Sequence, residues 1–444
     1  MNKTSLVLLA LCASAPLLAQ APGGLTVSKG DSSITLYGIL DAGMASVAHT
    51  ANFSDEFLAE VSPFATKTGN GSAIGMFNGG ISQSRYGLKG STGLADGWKG
   101  IFTLEGAINV PNGVVSNAAA SMAHNTAVTA TGGGPEVGVD SSISGQLFSR
   151  AAYIGVSSDT YGTLTIGRNT ALMLDFIPAF DPLGGAQLFT PLGFSGSYGG
   201  SGGTTDNARL DSSLKYSLKV NDFKFAFLHK FGGVAGASSA KSSDQLLVNY
   251  EHGNFGAVVA YQSYKDAFSV GNPNGTTQPL GTITLSAFDT KGTSLAAHYK
   301  LNPVTLTLGY QKLAYSAPSN PTSDLQMTEL YGFVVSHVTT TGFDSGEKDL
   351  TILWGGASWK VSDQFTAALG YYHIAQNDYS GGAAVPGAKG TGNTVYYSAL
   401  LDYNLSKAVD VYFGYMGTKV NDSMAVGYTN DSNATTGVGL RYKF

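Results

Sequence analysis

SLAAHYKLNPVTLTLGYQ, residues 294–311, decides the fold. In its first half Leu295, Ala297, Tyr299 and Leu301 fall on one face of an extended chain, opposite Ser294, Ala296, His298 and Lys300. After Asn302-Pro303 the alternation resumes, with Val304, Leu306, Leu308 and Tyr310 opposite Thr305, Thr307, Gly309 and Gln311. A period of two marks a strand with one apolar and one polar face. A two-residue connection makes the two strands antiparallel neighbours. Such a pair suits either a sandwich with a wet outside or a barrel with lipid outside and water within.

Composition favours the barrel. Charged residues are only 12% of the 444, while Gly (59) and Tyr (23) are abundant. A soluble chain carries about a quarter charged residues. Mean hydropathy is +0.04, too low for a bundle of membrane helices. No run after the N-terminus reaches the roughly 18 apolar residues that a spanning helix needs. Neutral hydropathy with few charges and many aromatics fits a wall that is apolar outside and polar inside. A secreted all-β repeat protein is the plainer alternative with the same composition.

Residues 1–21 have the form of a secretory leader: Lys3, an apolar stretch Leu6 to Leu11, and Ala19-Gln20-Ala21 as an A-x-A ending. The lone Cys12 lies inside it. The expected mature chain, 22–444, therefore has neither disulfides nor thiolate metal sites. Acids outnumber bases, 30 to 25, which argues against a nucleic-acid partner.

The two-residue period recurs along the chain. Strands are expected near 33–47, 79–92, 97–110, 145–157, 161–168, 208–220, 222–232, 242–252, 255–266, 291–301, 304–315, 348–360, 364–378, 392–404, 408–419 and 434–444. Most meet the roughly 9–11 residues of a tilted membrane strand. Runs 281–288 and 325–338 would raise the count from sixteen to eighteen if both crossed. The connections alternate strictly. Short turns fall at 93–96, 158–160, 221, 253–254, 302–303, 361–363 and 405–407, and long polar loops lie between them. A sandwich has no reason for that alternation, whereas an outer-membrane barrel has short periplasmic turns and long external loops. Aromatics gather beside the short turns, as an interfacial girdle requires. The final run alternates Val438, Leu440, Tyr442 and Phe444 with Gly439, Arg441 and Lys443, and pairing it with the first strand would remove both sheet edges.

One connection stands apart. After GTLTIGR (162–168) comes a segment without strand pattern, to about residue 206, carrying Leu172, Leu174, Phe176, Ile177, Phe180, Leu188 and Phe189. Long structureless connections tend to be functional or disordered, and these apolar anchors argue for a packed loop. Arg150 shares a period-two face with Ala152 and Ile154, and Arg168 with Leu164 and Ile166. A watery lumen does not want those aliphatics, so residues 169–207 are expected to fold inward and cover them.

Several stretches resemble the trimeric Gram-negative general porins of the β-proteobacterial type: SSITLYGILDAG (32–43), SRYGLKGS (84–91), IFTLEGAIN (101–109), QLFSRAAYIGV (146–156), YGTLTIGRN (161–169), DPLG (181–184), RLDSSLKYS (209–217) and GVGLRYKF (437–444). Together these are specific, although Ser149 stands where the family often has Gly, and the long external loops leave solute preference open. The resemblance implies a sixteen-stranded antiparallel transmembrane β-barrel, a homotrimer with one pore per subunit, and a constriction loop after strand five.

The constriction expected on that basis sets Arg85, Arg150 and Arg168, with Lys89 near, against Asp175 and Asp181 on the loop. Opposed fixed charges would orient water and polar solutes and select ions. Glu105 is the alternative partner, which would make an arginine a clamp for the loop; both roles stay open and can coexist. No histidine spacing suits a metal and no His/Ser/Asp constellation stands out in so Ser-rich a chain, so neither catalysis nor a cofactor is expected. The expected function is an outer-membrane channel for passive diffusion of small hydrophilic solutes and ions, surrounded by outer-membrane lipids. A channel preferring one solute class is the alternative, and a barrel enzyme or adhesin the more distant one.

Overall fold

A computed structural model describes residues 24–50, 70–111, 113, 147–193, 195–198, 208–266, 289–320, 346–384 and 386–444. The leader and the runs 281–288 and 325–338 lie outside them. Among the described residues no helix is long and apolar enough to cross a membrane. Crossing falls to the strands: β1 (Leu25–Lys29), β2 (Ser32–Thr50), β3 (Gly71–Asn78), β4 (Arg85–Gly93), β5 (Lys99–Ala107), β6 (Ala151–Ser158), β7 (Gly162–Thr170), β8 (Arg209–Val220), β9 (Phe223–Lys230), β10 (Ser243–His252), β11 (Phe255–Tyr264), β12 (Asp289–Lys300), β13 (Val304–Ser316), β14 (Lys348–Lys360), β15 (Phe365–Gln376), β16 (Gly392–Asn404), β17 (Val409–Asp422) and β18 (Ser432–Lys443).

Every neighbouring pair is antiparallel, from β4–β5 through β17–β18, and β18 returns to β2. The return closes the sheet, so the wall keeps its backbone groups paired inside lipid. The barrel has sixteen wall positions with two additional strands. β3 and β4 together fill one of them: β3 pairs with the second half of β2 (Ala42↔Asn78) and β4 with its first half (Ile39↔Arg85). The strand expected at 79–92 is thus interrupted at residues 79–84, and its upper part begins earlier, at Gly71. The other addition, β1, pairs only with the start of β2, where the sequence suggested a polar lead. The strand expected at 145–157 begins at Ala151.

The two faces separate as the alternation requires. In β13 Leu306 and Leu308 are exposed to the outside, while Thr307, Gly309, Gln311 and Leu313 are buried within. Beside the short turns aromatics sit opposite one another across neighbouring strands: Phe223↔Tyr250, Phe255↔Tyr299 and Phe365↔Tyr403. Phe223 and Tyr250 lie 4.8 Å apart, and Tyr442 stacks on Phe444 at 5.9 Å. Rings half in lipid and half at the headgroups fit this band.

The aliphatics that prompted an infolded loop have another explanation. Ile154 and Ile166 are cross-strand partners, 68% and 56% exposed, and so are Val156 and Leu164. They belong to the lipid face. Alternation fails at Arg168 because the β7–β8 register shifts between Gly167 and Asn169, where Gly167 takes φ +136°. A bulge re-aims the next side chain, so Arg168 leaves the face of Leu164 and Ile166. The loop does fold inward, for the reasons that follow.

Candidate pore constriction

The neck of the loop is closed by the Ala171 N–H on the Ala208 carbonyl, 3.0 Å. One turn of helix, α1 (Leu172–Phe176), and a 3-10 turn (Ile177–Phe180) follow. Leu172, Met173, Ile177 and Phe180 are buried against Leu228, Leu247, Val258 and Ala260 on the inner wall. Each large apolar side chain so covered contributes about 1.5–3 kcal/mol, ample to hold the segment against the wall. Polar wall residues then fix its path. Gln245 Oε1 accepts from the Leu172 N–H (2.7 Å), and Trp354 Nε1 donates to the Phe180 carbonyl (2.8 Å). On the way back Gln311 accepts from the Tyr198 N–H (3.1 Å), and Gln262 donates to Ser197 Oγ (3.1 Å).

Between these ends the loop lies in a trough of inward-facing glycines. A Cβ on Gly356 would sit 2.7 Å from Pro182, one on Gly370 2.7 Å from Leu183, and one on Gly414 2.5 Å from the Phe189 ring. Only hydrogen at these positions lets the loop come so close. Leu188 and Phe189 are fully buried with Phe77 and Tyr412, and the Leu188 N–H donates to the Gly80 carbonyl at 2.9 Å. The loop therefore runs along the β9–β18 side of the lumen as far as the gap between β3 and β4.

On the wall of β2, β4 and β5 a cluster of inner side chains gathers outside the contacts made by the described part of the loop. Tyr37, Arg85, Lys89 and Glu105 share one face, as the pairings Thr35↔Lys89, Tyr37↔Gly87, Ile39↔Arg85 and Gly87↔Glu105 require. Arg150 immediately precedes β6 and turns to them. Glu105 accepts from Arg150 Nε (2.6 Å) and Tyr37 OH (2.8 Å), while Arg85 Nε stands 3.7 Å away. Arg150 also donates to Gln83 Oε1. Lys89 is exposed and lies over the Tyr37 ring at 5.2 Å.

Of the expected set, Arg85, Lys89, Glu105 and Arg150 come together, and three residues do not join them. Arg168 is 6% exposed in the wall, donating to the Ser149 carbonyl (2.7 Å) and paired with Asp211. Asp175 projects from the loop but pairs with Lys215 on β8. Asp181 is 4% exposed, and its carboxylate accepts from Leu183 N–H (2.8 Å), Gly185 N–H (3.3 Å), Thr190 Oγ1 (2.8 Å) and Tyr372 OH (2.8 Å). The expectation that it faces the arginines across open water is corrected by this burial; a carboxylate spent on four donors fixes the loop. Sequence reasoning passed over Lys215, which stands in the stretch 209–217, and Arg441 and Lys443, which pair with Asp410 at 3.0 and 2.8 Å. The polar face of the final strand was their signal.

Known proteins agree with this architecture. Residues 4–423 match the family described as Gram-negative porin. An outer membrane porin protein of Bordetella pertussis is 29% identical over 239 residues, which cover 53% of this chain and half the length of that relative. The anion-selective porin from Comamonas acidovorans superposes with a TM-score of 0.62 at 20% identity, over 93% of this chain and all of that one. The outer-membrane protein OmpT of Vibrio cholerae gives 0.56 at 16% identity, over 95% and 100%. A closed barrel with an infolded loop and a match along nearly its whole length place this chain in the Gram-negative porin family of the bacterial outer membrane.

Proposed function

We propose that the protein is a water-filled outer-membrane channel for passive diffusion of small hydrophilic solutes, narrowed between the infolded loop and the Arg85–Lys89–Arg150 wall, with a preference for small anions. One observation carries the sign of that preference. The described acids of the loop are engaged, Asp181 by loop amides and Tyr372 OH and Asp175 by Lys215. On the facing wall Lys89 is exposed, and the Arg85 side chain keeps 26% exposure with its carboxylate partner 3.7 Å away. Among the described residues here the balance is positive, since Arg85 and Arg150 share the single carboxylate of Glu105 and Lys89 is exposed beside them, and a pore lined by one sign concentrates the opposite ion. The two-sided field expected from Asp175 and Asp181 thus becomes a one-sided one. The Comamonas porin of the same fold is described as anion-selective, which agrees in direction.

Reconstitution into a planar bilayer under a salt gradient tests the proposal. The expected reversal potential has the sign of anion permeation. A cation-selective current overturns the preference, and a folded protein that carries no current overturns the channel. Assembly as a homotrimer, with one pore per subunit, belongs to the same proposal. A band on unboiled gels at the trimer's mass, lost on boiling, supports it, and a monomer band alone refutes it.

A further inference from the structure

The stretch SSITLYGILDAG holds an acid that the constriction described so far does not use. Asp41 is completely buried on the inner face of β2, opposite Arg441 of β18. Beside it the wall strand is broken. β3 leaves the ladder at Asn78, opposite Ala42, and β4 rejoins at Arg85, opposite Ile39. Residues 79–84 therefore pass a stretch of β2 that spans only Leu40 and Asp41. An unbroken strand would pair its backbone with β2 there. The diverted chain needs other acceptors, because buried N–H groups left unpaired are costly.

Asp41 supplies them. Its carboxylate accepts from the N–H groups of Gly80 (3.1 Å), Ile81 (3.0 Å) and Ser82 (2.8 Å), and from Tyr412 OH. Its carbonyl accepts from the Gly79 N–H (2.7 Å) and Ser84 Oγ (2.9 Å), and its own N–H donates to that Oγ (2.9 Å). Three successive amides on one carboxylate make a fixed turn. Gly80 is required within it, since a Cβ there would meet the Phe77 ring at 2.6 Å.

The turn touches both sides of the constriction. On one side the Gly80 carbonyl accepts from the Leu188 N–H at the loop tip. On the other, Gln83 accepts from Arg150 through its side chain and lies 3.5 Å from Arg85 Nη1 through its carbonyl. Ser82 Oγ accepts from Arg441 Nη1 at 2.8 Å. One short segment thus holds the loop tip and the basic wall together, and a single carboxylate organises it.

We infer that Asp41 is a positioning residue for the pore: through the 79–84 turn it sets the spacing between the tip of the infolded loop and the Arg85–Arg150 pair. It acts through other groups and does not line the water path. The inference rests on the channel proposal above.

The test separates position from charge. Asp41→Glu keeps the charge and moves the carboxylate by one methylene; Asp41→Asn keeps the shape and removes the charge. If the carboxylate holds the turn in place, both variants raise single-channel conductance above wild type, because the loop tip loses its hold at Gly80. Asp41→Glu does so by displacing the acceptors, and Asp41→Asn by replacing one accepting oxygen with an NH2 that cannot take the turn's donors. A charge role alone leaves Asp41→Glu at the wild-type value and shifts only the reversal potential of Asp41→Asn, which overturns the inference. Wild-type conductance in both folded variants overturns it as well. If neither variant gives a heat-modifiable barrel, Tyr412→Phe carries the test. It removes one donor from Asp41 and keeps the ring contacts with Phe77 and Phe189, so a smaller rise is expected and an unchanged conductance is fatal. A wild-type protein that fails to conduct in the same bilayers refutes the channel itself, a distinct result.

Discussion

Replacing Asp181 by alanine distinguishes two roles for one loop acid. As a field charge, its loss would move the reversal potential toward anions and leave the current steady. As an anchor, its loss leaves two buried amides, of Leu183 and Gly185, and the hydroxyls of Thr190 and Tyr372 without their acceptor. A buried donor stripped of its partner costs about 1–3 kcal/mol, so the amides alone amount to about 2–6 kcal/mol. Even the lower figure changes the docked-to-released ratio of this part of the loop by about 30-fold, at a tenfold change per 1.4 kcal/mol. Apolar contacts at either end, Phe180 on its own side and Phe189 beyond, keep the loop tethered. The expected record is a channel that still inserts but flickers to higher conductance, read as open-channel noise in single-channel traces. Quiet, wild-type conductance with a shifted reversal potential would show the anchor argument to be wrong.

Arg85→Ala should move the reversal potential toward cations. A unit charge at close range in water is worth about 1 kcal/mol, which corresponds to a few-fold change in the anion-to-cation permeability ratio; no change would remove Arg85 from the pore. Gly414→Val should drive the Phe189 ring from the trough, since even a Cβ falls 2.5 Å from it; overpacking costs about 1–3 kcal/mol, and raised conductance with an intact heat-shifted band is the expected readout. Trp354→Phe keeps an aromatic ring but removes the pyrrole part of the indole with its N–H and strands the Phe180 carbonyl, at about 1–3 kcal/mol for the lost partner, and limited proteolysis at the Phe176–Phe180 turn should become faster than in wild type.

The barrel was legible because its driving pattern is local. Lipid outside selects Leu306 and Leu308, the interior selects Thr307 and Gln311, and both choices repeat every second residue. Register with the neighbouring strand then follows from short turns. What escaped is whatever a partner distant in sequence decides. Residues 79–84 carry no sign that Asp41 will take up their amides. The burial of Asp181 depends on Tyr372 from β15, and the neutralisation of Asp175 on Lys215. Arg168 was assigned to the right strand with the wrong companions, because a period-two count runs straight through a bulge that only the β7–β8 register exposes. The infolded loop was expected for the sake of Leu164 and Ile166, which face lipid; its apolar anchors, Phe180 and Phe189 among them, were the sound part of that inference.

Closure through β2 and β18 bears on how the molecule is made. Residue 41 meets residue 441, and the Gly38 amide reaches the carbonyl of Phe444, so the ring can be sealed only once β18 has been made and brought back to β2. Contacts of such long range form late and slowly. Until then two ragged strand margins stay open to any passing chain. A chain without β18 would give no narrower tube, only an open ribbon with two unpaired edges.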